Sequence, residues 1–172
     1  MNSRSERKLE SRDRILRSAA KLFRKKGIAA TGVDQIMGEA GLTAGGFYSH
    51  FKSKEELVAL TLSSVLNGNR ENLESAFTLE HYLSASHRDQ PENGCVLAAL
   101  ASELPKQSHR TRGLLVRHLE ERIFDLEKRG LRRDQAIRAI STAIGSLILS
   151  RIVKGTPLSD EILSAGKSAP IK

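Results

Sequence analysis

Tyr48, His50 and Lys54 are the residues of this chain best suited to chemistry with an anion. A phenol hydroxyl, an imidazole N–H and an ammonium all donate hydrogen bonds to phosphate oxygens. They follow Ala44-Gly45-Gly46, a run with almost no side chain. Two adjacent glycines cost about 1–2 kcal/mol of helix propensity relative to alanine. A helix selected only for its own stability would not carry them. A helix whose N-terminal end presses its backbone against phosphates or base edges would. Phe47 and Phe51, four apart, would fix that helix to a core. Thr43, just before it, is a natural N-cap whose hydroxyl can accept an orphan backbone N–H. Thr43, Ala44, Gly45, Gly46, Tyr48, His50 and Lys54 are therefore candidate DNA contacts. Lys54 opens the next helix, where its charge opposes the helix dipole and a docked phosphate would relieve it. The competing reading of Lys54 is a surface lysine without a partner.

The second candidate centre is Cys95, the single cysteine. Asn93-Gly94 before it places it at a helix N-terminus, where the dipole favours thiolate. That is how a cysteine sensing oxidants or electrophiles would be built. Against it, no second cysteine is there to resolve a sulfenic acid, and a lone cysteine between apolar neighbours serves equally as a small core residue. The five histidines show no metal-ligand spacing. Neither a phosphate-binding loop nor a nucleophile elbow occurs, so an enzyme is not expected, and neither is a cofactor or metal.

These residues need elements to position them. Val33, Ile36, Met37 and Ala40 lie on one face of a short helix over Val33–Ala40. Gly41 stops it and reverses the chain. A second short helix follows over Ala44–His50, so Thr31 to Phe51 reads as a helix-turn-helix. Upstream, a helix from Glu6 or Glu10 to Lys26 carries the stripe Ile15, Leu16, Ala19, Leu22 and Phe23, closed by Gly27. Downstream, Ser53 with Glu56 forms a capping box for a helix from Lys54 past Val65, reaching Glu71 or beyond. Further helices are expected over Leu79–Arg88, Cys95–Leu104, His109–Arg129, Arg132–Val153 and Leu158–Ala165, with Asp89–Gly94 as a loop. The fold class is all-α: an N-terminal three-helix helix-turn-helix domain (residues 1–54) and a C-terminal helical domain (residues 55–172), about nine helices in all.

Charge divides the same way. The chain carries a net +8, and Met1–Lys26 alone balances to +7 with ten basic and three acidic groups. The balance is still +7 at Lys54 and only +1 over the rest. Cationic charge concentrated on a helix-turn-helix is the footprint of a polyanion-binding domain. Arg4, Arg7 and Lys8 read either as a basic arm along the DNA backbone or as a disordered start. The apolar runs are too short for a membrane span, the N-terminus has no secretory signal, and one cysteine fits a reducing cytoplasm.

The run from Arg14 to Leu57 resembles the DNA-binding domain of the TetR family of bacterial transcriptional regulators. The matching residues are Ile15-Leu16, Ala19-Ala20, Leu22-Phe23, Gly27 and Thr31, then VDQIMGEAGLTAGGFYSHFKSKEELV. The resemblance covers about the first third of the chain; GGFYSHF with the later GCVLAALASEL is similar to one recurring subgroup. It implies a cytoplasmic homodimeric repressor on double-stranded operator DNA, released by a small-molecule inducer of unknown identity, with no membrane partner. An alternative is release by modification of Cys95. The resemblance also places Thr31 as a phosphate-contacting hydroxyl. Where the family often has Ser or Thr as the next cap, this chain has Gly32, so that capping role stays open between Gly32 and Thr31. Dimerisation is expected through the apolar helix Arg132–Val153, whose Ser141, Gly145 and Ser146 allow close approach.

Overall fold

The computed structural model describes residues 3–68 and 78–168. Every regular element among them is helical. Helix α1 spans Arg4–Lys26. Ser3 Oγ accepts from Glu6 N–H at 3.2 Å while the Glu6 carboxylate accepts from Ser3 N–H at 2.6 Å, a reciprocal cap. The basic residues Arg4, Arg7 and Lys8 are thus helical and exposed rather than a loose arm. Gly27 ends α1 at φ +90°, a conformation side chains resist, and its N–H returns to Phe23 O. Ile15, Ala19, Leu22 and Phe23 face inward, as the stripe requires.

Helix α2 spans Val33–Glu39, and Gly41 at φ +66° turns the chain. Leu42 N–H bonds back to Met37 O at 2.9 Å, which closes the helix end. The remaining carbonyls are met by α1: the Arg14 guanidinium donates to Ala40 O and Gly41 O. The next element, Ala44–Ser49, is a 3-10 turn rather than an α-helix. The glycine pair lowers the α-helix propensity of this short segment and leaves its helix type to the surroundings. Thr43 stands at its N-cap position, but its side chain makes no capping bond.

Helix α3 spans Lys54–Gly68. Ser53 Oγ accepts from Glu56 N–H at 3.1 Å, and the Glu56 carboxylate reaches back to Lys52 N–H at 2.5 Å, one residue earlier than expected. The expected continuation to Glu71 lies outside the described residues. The single helix expected over Leu79–Arg88 is two, α4 (Leu79–Tyr82) and α5 (Ala85–Asp89). Ser84 starts the second by accepting from His87 N–H at 3.2 Å. Within Asp89–Gly94 lies a 3-10 turn, Pro91–Asn93. The helix expected over Cys95–Leu104 is only α6, Val96–Ala99, followed by a 3-10 turn Leu104–Lys106. Pro105 falls in the first turn of that 3-10 element, where its missing N–H costs no hydrogen bond. The three last helices follow the sequence pattern closely: α7 (His109–Lys128), α8 (Arg133–Ile152) and α9 (Pro157–Ser168).

Two apolar clusters hold these elements. The first gathers Ile15, Phe23, Ile36, Met37, Phe47, Phe51 and Leu57, and continues into Val96, Leu100, Leu104 and Leu115. The second joins Tyr82, Leu83, Ala98, Ala143, Leu147 and Leu163. The short helix α6 contributes to both: Val96 and Leu100 to the first, Ala98 to the second.

Candidate nucleic-acid interface

The exposed rim of the helix-turn-helix is built from the 3-10 turn outward. Phe47 and Phe51 are fully buried, their rings stacked at 5.7 Å between centroids, and they anchor the turn from below. Tyr48 packs its ring edge-on against Phe47 at 5.2 Å yet is 76% exposed, so its hydroxyl projects from a fixed base. Thr43, Ala44 and Gly45 are exposed, and Gly46 is half-buried. A methyl group at Gly45 would meet nothing within 4 Å, so the protein itself does not demand glycine there. One at Gly46 would make ordinary contact with Met37. The result is a strip of backbone that a duplex could approach closely.

His50 closes the turn. Arg12, from α1, donates from Nη1 to His50 O at 2.6 Å and lays its guanidinium over the Phe51 ring at 4.6 Å. His50 is half-buried, and burial, with Lys8 and Arg12 nearby, holds its ring below the ordinary histidine pKa. Its Nδ1 is buried and takes no hydrogen bond among the described residues, which leaves Nε2 as the working atom of the ring. Lys54 is half-buried at the first position of α3. Lys21 and Glu39 tie α1 to α2 by a surface ion pair at 2.6 Å, which raises the Lys21 pKa and lowers that of Glu39.

Thr31 does not belong to this rim. It is fully buried, and its hydroxyl donates to Gly27 O at 2.6 Å. The hydroxyl therefore secures the α1–α2 turn instead of contacting phosphate, and it does not cap α2. Gly32 holds the cap position by backbone conformation alone. Three contributors were invisible to pattern reading: Arg12, Arg14 and Glu103. Arg12 and Arg14 looked like generic surface charge on α1. Glu103 lies far along the chain, yet its carboxylate accepts from Ile28 N–H at 2.9 Å and Ala29 N–H at 2.7 Å, in the turn that Thr31 also secures.

The comparisons with known proteins agree with this geometry. The family model described as "Bacterial regulatory proteins, tetR family" matches residues 15–60, which include α2, the 3-10 turn and the start of α3. Residues 15–60 thus match the DNA-binding part of that family. Over 49 residues it is 49% identical to the uncharacterised helix-turn-helix-type transcriptional regulator YerO of Bacillus subtilis, covering 28% of this chain and 17% of that protein. Over 56 residues it is 43% identical to the transcriptional repressor KstR2 of Mycolicibacterium smegmatis, covering 33% and 27%. It thus matches well under half the length of these relatives. Solved structures extend the likeness in fold alone. A TetR transcriptional regulator from Chloroflexus aurantiacus aligns with a TM-score of 0.76 at 23% identity, over 94% of both chains. The reduced form of NemR from Escherichia coli aligns at 0.67 and 17% identity, over 91% of this chain and 95% of that one. Over nearly the whole chain, then, the likeness is one of helical fold.

Beyond the head, Cys95 is the half-buried N-cap of α6. Its N–H donates to His87 Nε2 at 2.9 Å, and His87 Nδ1 meets Tyr82 O at 2.7 Å. Burial lowers the pKa of His87 and pushes that of Tyr82 far up. The guanidiniums of Arg24 and Arg151 lie near enough to interact with the thiol electrostatically.

Proposed function

We propose that this protein is a TetR-family homodimeric transcriptional repressor that binds a roughly palindromic operator through residues 1–54 and is controlled through residues 55–172. The observation that carries the reading is the exposed, side-chain-poor turn Ala44–Gly46 with Tyr48, His50 and Lys54 beside it, on the part of the chain that holds nearly all the net charge. Phosphate contacts from Tyr48, His50 and Lys54 set register, and the bare backbone lets the turn enter the major groove. One such turn spans too few base pairs for useful affinity, so two are required.

The second copy is supported by α7 and α8. Val116, Phe124, Ile137, Leu149 and Ile152 are all large, apolar and 43–71% exposed. Methyl groups at Gly113 and Gly145 would meet nothing within 4 Å, so both helices offer open ground for close approach. Phe124 faces outward with Lys128 over its ring at 4.5 Å. An isologous four-helix contact would cover this surface.

For control, a cleft of about 300 Å³ between α3 and α7 is lined by Ser63, Leu66, Asn67, Leu114, Arg117, His118 and Glu121. A small amphipathic inducer seated there would push on α3, which carries Lys54 at its other end. It acts as an inducer only if it binds the splayed dimer more tightly than the DNA-bound one. A second reading rests on Cys95: beside Arg24 of α1, addition of an oxidant's oxygen or an electrophile to the thiol would press on the head directly. Cys95→Ser separates the two, since it abolishes a thiol response and leaves a cleft response intact. No described helix is long and apolar enough to cross a membrane, and we place the protein in the cytoplasm with its DNA.

Selection of bound fragments from random-sequence duplex DNA tests the reading. An enriched inverted repeat is the expected result. A pool that stays random after repeated rounds would overturn it.

A further inference from the structure

The helix α6 and the turn after it form the only described stretch that packs into both apolar clusters. On one side Ala98 meets Leu147 and Ala143 of α8, the helix assigned above to dimerisation. On the other, Val96, Leu100 and Leu104 enter the core of the reading head. Apolar contacts of this kind are non-directional and permit sliding. Directional contacts from this stretch and from the Pro91–Asn93 turn just before it are what set an angle. Glu92 O accepts from Arg24 Nε at 2.7 Å, at the end of α1. Glu103 supplies the other two, one carboxylate oxygen to each of the adjacent amides of Ile28 and Ala29.

The head is shaped to receive that carboxylate. A methyl group at Gly27 would overlap Glu103 Oε1, so glycine there serves both the positive φ and the approach of the carboxylate. The acceptor is charged, which makes the pair of bonds strong and specific in direction. Thr31 secures the turn from within, and Ala29 is exposed, so water can replace the carboxylate at that amide.

We propose that Glu103 is a positioning residue that fixes the angle between each reading head and the dimerising body, and so sets the half-site spacing the dimer accepts. The proposal rests on the DNA-binding dimer reading above. It concerns spacing, not the grip of a single head. Glu103→Gln keeps the size of the side chain but offers only one acceptor and turns an NH2 group toward the second amide. Glu103→Asp keeps the charge and lacks the reach to both amides, so it serves if the first variant folds poorly.

The experiment uses the full chain with duplexes taken from the random-DNA selection. These are the selected operator, versions with one or two base pairs added or removed between half-sites, and a single half-site. Amide exchange of the DNA-free protein is followed alongside. Both variants are expected to bind the optimal operator about tenfold more weakly and the half-site within about twofold of wild type. The spacing optimum should broaden. Ile28 and Ala29 amides should exchange faster, while Ile36 and Phe51, bonded within the head, keep their rates. An unchanged spacing profile would overturn the proposal. So would parallel losses on half-site and operator, which would make Glu103 a prop of the head's own structure. If the wild-type chain selects no duplex, the DNA-binding reading fails, and the exchange rates alone then decide whether this carboxylate holds the turn.

Discussion

Tyr48 separates the roles of anchor and contact within one side chain. Its ring rests edge-on against Phe47, and its exposed hydroxyl is left for a partner. Tyr48→Phe should therefore keep the thermal midpoint of the wild type and lower operator affinity by about 1 kcal/mol, roughly fivefold. Equal affinity in a fluorescence-anisotropy titration would remove the hydroxyl from the interface. His87 carries a pH prediction. Burial depresses its pKa below the ordinary 6.5 in the folded state, so the unfolded chain binds the extra proton more readily. Its contribution to stability is present above pH 6.5 and is lost as pH falls below that value. Protonation would also turn Nε2 from the acceptor of Cys95 N–H into a donor. The urea midpoint should drop between pH 7.5 and 5.5, and His87→Gln should flatten that slope; identical slopes would contradict the assignment. At this scale the sequence was a partial guide. Side-chain type announced Tyr48 and the buried phenylalanines. Thr31 went wrong because a hydroxyl four residues after Gly27 can turn inward to a carbonyl, and only the folded turn shows that it does.

The elements divide by the range of their causes. Helices α1, α7, α8 and α9 were legible because long apolar periods and local caps specify them with no distant partner. Gly27 and Gly41 were legible because a positive φ is a local demand. The recognition element came out as a 3-10 turn since two glycines leave the choice of helix type to its surroundings. The break at Leu83 depended on Ser84, whose effect was local but underweighted. Arg14 on α2's last carbonyls and Glu103 on the α1–α2 turn could not be read at all, because both act across tertiary contacts. Two of the head's glycines, Gly45 and Gly27, should respond in opposite ways. Gly45→Ala has open space and should leave stability unchanged or raise it by up to about 1 kcal/mol, while operator binding weakens. Gly27→Ala meets both a strained φ and Glu103, and should destabilise the protein by more than about 1 kcal/mol. Denaturant titration of the two variants checks the pair, and a destabilised Gly45→Ala would show that the turn is glycine-rich for internal reasons.

As a whole, the molecule is a cationic head on a near-neutral body whose outer helices expose apolar side chains. Leu149→Glu should split the dimer in sedimentation equilibrium with helix content retained, because Leu149 is 53% exposed in the single chain. A variant that stays dimeric would move the interface elsewhere. Salt dependence belongs to this scale too: the logarithm of affinity should fall linearly with the logarithm of salt concentration, at about 0.9 per phosphate neutralised. The account stands or falls on the Ala44–Ser49 turn lying against DNA. The most direct measurement replaces Tyr48 with a photocrosslinking benzoylphenylalanine, with a second preparation modified at Leu149. The account predicts crosslinks from position 48 to both half-sites of the selected operator, and from position 149 only to the other protein chain. Crosslinks to DNA from position 149 with none from position 48 would contradict it.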